Sequence, residues 1–169
     1  MSTLTSDDPT TREALGRLRR ALGRLDPALR ADLRRVAADP ARVGAAGLTA
    51  GVYVTNPERP ERRCACPITG VLLLRGETSW PDLARYDATC FDPLHDKPSW
   101  SGEVEDFNDA LDALAHDAGW AVPGHGPRNP RQARHAAAAL QALLGRLLDE
   151  LEAAPARGGP GRHGEGGSS

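Results

Sequence analysis

Cys64, Cys66, Cys90 and His95 are the residues of this 169-residue chain whose types and spacing could hold a metal ion. Three thiolates and one imidazole are a legitimate tetrahedral set for Zn2+. The spacing departs from the common one. Structural zinc knuckles use a two-residue gap that aims both sulfurs at one ion, whereas one residue separates Cys64 from Cys66. The same sulfurs can also be read as a nucleophile or a redox group, because Arg62 and Arg63 precede Cys64 and would favour its thiolate. The CxxC of thioredoxin-like redox sites and any cysteine-hydrolase signature are missing. Free cysteine is among the most buried residue types, so packing is the first reading, ahead of a structural zinc site and of catalysis.

Glu105, Asp109, Asp112 and His116 are spaced four, three and four apart, which sets them on one helical face. Carboxylates and imidazole in that pattern can bind a divalent metal. Metal helices of this type need matching ligands from a facing helix, and the last helical segment offers no acid in its apolar stripe. A solvated acidic face that recognises a basic partner is the expectation. His125, flanked by glycines, has an unobstructed backbone. It lacks an assignable acid or nucleophile, so it reads as a loop histidine.

These residues sit in a chain with segregated charge. The net formal charge is −2. From Arg12 to Arg35 eight arginines face only Glu13, Asp26 and Asp32, a net of +5. From Glu77 to Asp117 eleven acids face only Arg85 and Lys97, a net of −9. Such asymmetry means that two faces of one molecule, or two partners, attract each other. Twenty arginines against the single Lys97 reflect the coding bias of a GC-rich bacterial genome, so arginine richness is weak evidence for nucleic-acid binding. No recognition helix is discernible in the Arg-rich N-terminal part.

The elements that must position these residues follow from periodicity. Leu15, Leu18, Leu22 and Leu25 make one helical stripe; Asp26 and Pro27 restart the chain, and Leu29, Leu33 and Val36 make the next. A kinked single helix and an αα-hairpin both fit. Val52, Tyr53 and Val54 are β-formers, and Val71 to Arg75 reads as a second strand, paired antiparallel with the first across a connection carrying the cysteines. Trp80 to Leu83 opens a short helix, and Thr89 to Phe91 is a third extended piece. Ser101 is an N-cap for a helix running to Ala118 and stopped by Gly119, with Phe107, Leu111, Leu114 and Ala118 inward. Asn129, Pro130 and Gln132 cap a last helix over 130–153, burying Ala133, Ala137, Leu140, Leu144, Leu147 and Leu151. Trp80, Trp100, Trp120, Phe91 and Phe107 are expected to carry much of the central core.

The expectation is an α+β fold: an N-terminal helical pair, a small central antiparallel β-element and two C-terminal helices. It occupies 11–154 as one domain, between a flexible start (1–10) and a disordered Gly-rich tail (155–169). No run approaches the roughly 18 apolar residues of a membrane span, and no secretory signal pattern is present. With an odd number of cysteines, the cytoplasm is the expected location. Nucleotide-binding glycine loops, HExxH and GxSxG are absent. The expected function is a non-enzymatic interaction or regulatory protein with an acidic docking face and a candidate zinc site. The alternatives are a cysteine-dependent enzyme or thiol redox protein, and a nucleic-acid-associated protein using the Arg-rich helices.

Overall fold

The structure, a computed structural model, describes residues 8–85, 102–122 and 125–154. The fold is α+β, with helices at both ends of a small sheet. Helix α1 (Pro9–Arg24) is capped by Asp8, whose carboxylate accepts the Thr11 N–H. It begins inside the polar opening, and it buries Ala14, Leu18, Ala21 and Leu22. Leu25 leaves helical geometry, and Asp26 accepts the N–H groups of Ala28 and Leu29 to start α2 (Pro27–Ala38). Two separate helices therefore form. A 3-10 turn (Pro40–Val43) ends at Gly44, whose φ of +71° is strained for any residue with a Cβ.

The sheet has three two-residue strands: β1 (Gly47–Leu48), β2 (Val54–Thr55) and β3 (Cys64–Ala65), with β3 central. β2 runs antiparallel to β3, pairing Thr55 with Cys64, so its partner is the cysteine segment that was expected to form the connection. β1 joins β3 in parallel, pairing Gly47 with Cys64, so the sheet is mixed. Of the β-formers Val52, Tyr53 and Val54 only Val54 lies in a strand, and Gly51 (φ +77°) turns the chain between β1 and β2.

Residues Val71 to Arg75 are not a strand. They end helix α3 (Pro67–Arg75). Cys66 caps it, Pro67 suits its first turn, and Gly76 (φ +69°) closes it. The segment from Pro67 to Leu72 is buried on every side. A short apolar run of that kind has no periodicity with which to tell a buried helix from a buried strand. Its place against α2 depends on Gly70, where an added Cβ would lie 2.6 Å from Val36 Cγ1.

Short helix α4 (Trp80–Arg85) is pinned by its first residue: Trp80 Nε1 donates to the Val43 carbonyl at 2.6 Å. The Arg63 guanidinium stacks 4.5 Å above the Trp80 ring and donates to the Gly44 carbonyl. Helix α5 (Gly102–Asp117) buries Val104, Phe107, Ala110, Leu111, Leu114 and Ala115 and packs mainly on α1. Gly119 follows with φ +70°. Helix α6 (Pro130–Ala153) is capped by Asn129, which accepts the Gln132 N–H, while Gln132 Oε1 reaches back to the Arg128 N–H. It buries Leu140, Leu144 and Leu147 as expected, with Ala136, Leu143 and Leu148 in place of Ala133, Ala137 and Leu151. The inward stripe is therefore rotated slightly, and Ala137 lies against Gly47 of β1.

One core joins these elements, with Leu18, Leu22, Leu33, Ile68, Phe107, Leu111, Leu140 and Leu144 fully buried. Trp80, Trp120 and Phe107 are all buried in that core; Phe91, Trp100, the extended piece at 89–91 and the Ser101 cap lie outside the described residues. Among the described residues no helix is long and apolar enough to cross a membrane.

Candidate functional site

Cys64 and Cys66 straddle the end of the central strand, and each thiol already has a protein partner. Cys64 S–H donates to the Arg62 carbonyl at 3.6 Å. Burial pushes its thiol above the ordinary range, partly offset by a hydrogen bond from Thr55. Cys66 is 2 % exposed and does what serine does at many helix starts: its sulfur accepts the Thr69 N–H at 3.4 Å and lies 3.3 Å from Thr69 Oγ1. Burial raises its thiol to about 11, against a smaller opposite effect of the Thr69 hydrogen bonds. Arg62 and Arg63 do not activate these sulfurs: Arg63 is held by Trp80 and Gly44, and Arg62 is exposed. Reactive cysteines have depressed pKa values and access to solvent, the reverse of this pair. The other members of the expected zinc set, Cys90 and His95, lie outside the described residues. Among the described residues no three His, Cys, Asp or Glu side chains converge on a common point.

The four residues expected on one face of α5 divide into two groups. Glu105, Asp109 and His116 are exposed, and none of the three has an ion-pair partner among the described residues. Asp112 is turned inward: its Oδ1 accepts the Gly51 N–H at 2.9 Å, which holds the turn between β1 and β2. Burial, with a further push from Asp109, raises its carboxyl above the ordinary carboxylate range despite the Gly51 hydrogen bond. Its proximity also disfavours the thiolate of Cys66. Asp112 thus works as a brace between helix and sheet. His116 stands in the last turn of α5, where a positive charge suits the helix dipole. His125 is exposed, and its backbone N–H donates to the Val122 carbonyl at 2.9 Å beside the Val122–Gly126 bridge.

Tertiary packing brings in residues that the spacing pattern did not single out. Arg17, Arg20 and Arg24 lie on one stripe of α1. They form one wall of a polar cleft of about 220 Å3, facing Asp106 and Asp109 on α5 across a floor of Ala21 and Ala110. Arg24 pairs with Asp106 at 2.9 Å. Arg17 and Arg20 are exposed and have no hydrogen bond or ion pair among the described residues. The segregation of charge along the chain was the sequence's only trace of this cleft. Part of it is now spent inside the molecule: Arg19 pairs with Glu150, and Arg34 with both Asp149 and Glu152.

The fold and the site define a helical α+β protein with a charged α1–α5 cleft, and no complete catalytic set among the described residues. Comparison with protein-family models, with curated proteins and with solved structures finds no match to this chain.

Proposed function

We propose that this chain is a small cytoplasmic bacterial interaction or regulatory protein, non-enzymatic, which docks a basic partner through the exposed edge of α5. The observation that carries this reading is the division of the α5 acids. Asp106 and Asp112 are occupied by Arg24 and by the Gly51 N–H, whereas Glu105 and Asp109 are exposed and have no ion-pair partner among the described residues. Unpaired like charges on a folded helix disfavour the isolated protein slightly and favour a cationic partner. The protonated, buried thiols of Cys64 and Cys66 lend no support to a cysteine enzyme. Nucleic-acid binding by the N-terminal helices is weakened as a reading by the engagement of Arg19, Arg24, Arg30 and Arg34 with groups of this same chain. A zinc ion at Cys64, Cys66, Cys90 and His95 would need all three thiols ionised, against the burial that keeps Cys64 and Cys66 protonated. Elemental analysis of the purified protein tests that part by itself.

The docking reading is tested by fluorescence anisotropy with a labelled peptide of about 15 residues that carries lysines at helical spacing. Glu105→Gln with Asp109→Asn is expected to weaken binding about three- to tenfold at low salt and to flatten its salt dependence. Asp112→Asn should leave binding unchanged. Equal affinities of the parent and the double variant would refute the proposal.

A further inference from the structure

The cleft beside that acidic edge carries charge of both signs, and this restricts what can dock there. Asp109 faces Arg17 and Arg20 across the space between α5 and α1, while Asp106 is neutralised by Arg24. Three guanidiniums and two carboxylates leave the cleft with a small positive excess. These groups all lie within one Debye length, about 10 Å at moderate salt, of anything seated between the helices. A purely basic segment drawn to Asp109 is therefore repelled by Arg17 and Arg20, which have no ion-pair partner among the described residues, and a purely acidic one is repelled by Asp106 and Asp109. Like-charge juxtaposition is how interfaces reject wrong partners.

The geometry points to a mixed-charge docking segment: a partner helix that places a carboxylate against Arg17 and Arg20 and, about one turn away, a lysine or arginine against Asp109 and Glu105. This rests on the docking role of α5 proposed above and adds the second wall. Arginine suits the acceptor role because its planar fork takes a carboxylate through two parallel hydrogen bonds. Arg17 and Arg20 stand three apart on α1, so a single acid can be reached by both. Contacts of this exposed kind are individually weak, so they discriminate between partners more than they add affinity.

The test compares three labelled peptides on one alanine-rich helical background: lysines only, glutamates only, and lysines each paired with a glutamate four residues away. Anisotropy is read at low and high salt. The mixed peptide is expected to bind at least about fivefold more tightly than the lysine-only peptide. Arg17→Ala with Arg20→Ala should abolish that preference and raise affinity for the lysine-only peptide. The arginine variant should keep the parent's melting temperature, since neither side chain has a described partner. If the lysine-only peptide binds as well as the mixed one, and the arginine variant changes nothing, the mixed-charge inference fails while acidic docking stands. If no peptide responds to Glu105→Gln with Asp109→Asn, both fail. A salt-sensitive dimer in light scattering, lost in the arginine variant, would show a second copy filling the cleft and would also overturn the inference.

Discussion

Cys66 shows how burial decides the chemistry of a residue that looks reactive on paper. Its sulfur sits at the start of α3, where a serine hydroxyl would serve, and accepts the Thr69 N–H in a site closed to water. Cys66→Ser should keep the cap, whereas Cys66→Ala should cost about 1 kcal/mol in denaturant unfolding. The raised thiol has a pH consequence of definite sign. The folded protein holds this proton up to about pH 11, while the unfolded chain releases it near its ordinary value of 9.0. The resulting stabilisation is fully present below the unfolded value and is lost as pH rises from there toward the folded one. It amounts to roughly 2–3 kcal/mol. Melting temperatures across that window should fall more steeply for the parent than for Cys66→Ser, and parallel curves would show that the thiol is not the group responsible.

The elements meet at points set by small residues. Gly70 lets α3 lie against Val36 of α2, and Gly47 lets β1 lie against Ala137 of α6. Gly70→Ala gains helix propensity, yet its new Cβ must displace Val36, and overpacking of this sort costs about 1–3 kcal/mol. Net destabilisation of about 1 kcal/mol is expected. The same change made in a Val36→Ala background should be neutral or stabilising, a coupling that a double-mutant cycle measures directly. Helix ends were readable beforehand because capping is local chemistry: Asp26 with Pro27, and Asn129 with Gln132, act where their types predict. The identity of α3 was not readable. The burial of Pro67 to Leu72 on all faces removes the pattern by which a helix is told from a strand, and cysteine is not among the residues that mark a helix start.

For the whole molecule, opposite charges bind the two ends of the chain together. Arg19 and Arg34 reach Glu150, Asp149 and Glu152 on α6, Arg24 reaches Asp106 on α5, and Arg75 of α3 meets Asp32 of α2 at 2.8 Å. Most of these pairs are largely exposed, so each contributes about 0–1 kcal/mol and is screened by salt. Raising ionic strength from about 0.05 to 0.5 M should therefore lower the melting temperature by only a few degrees. A much larger drop in a thermal scan would mean that these pairs, and not the Leu-rich core, hold the helices together.

The sequence by itself determined the helices on either side of the sheet, the Asp26 and Asn129 caps, most of the inward stripes and the α+β class, because periodicity and capping depend on near neighbours. It also displayed the separation of positive and negative segments. Only the tertiary structure decided what that separation does. Packing α1 on α5 occupies Asp106, closing the sheet on α5 turns Asp112 inward to Gly51, and Glu105 and Asp109 are left facing outward beside Arg17 and Arg20. Spacing along one helix names the residues that share a face. Which of them meet a partner within the chain depends on residues distant in sequence, such as Arg24 and Gly51.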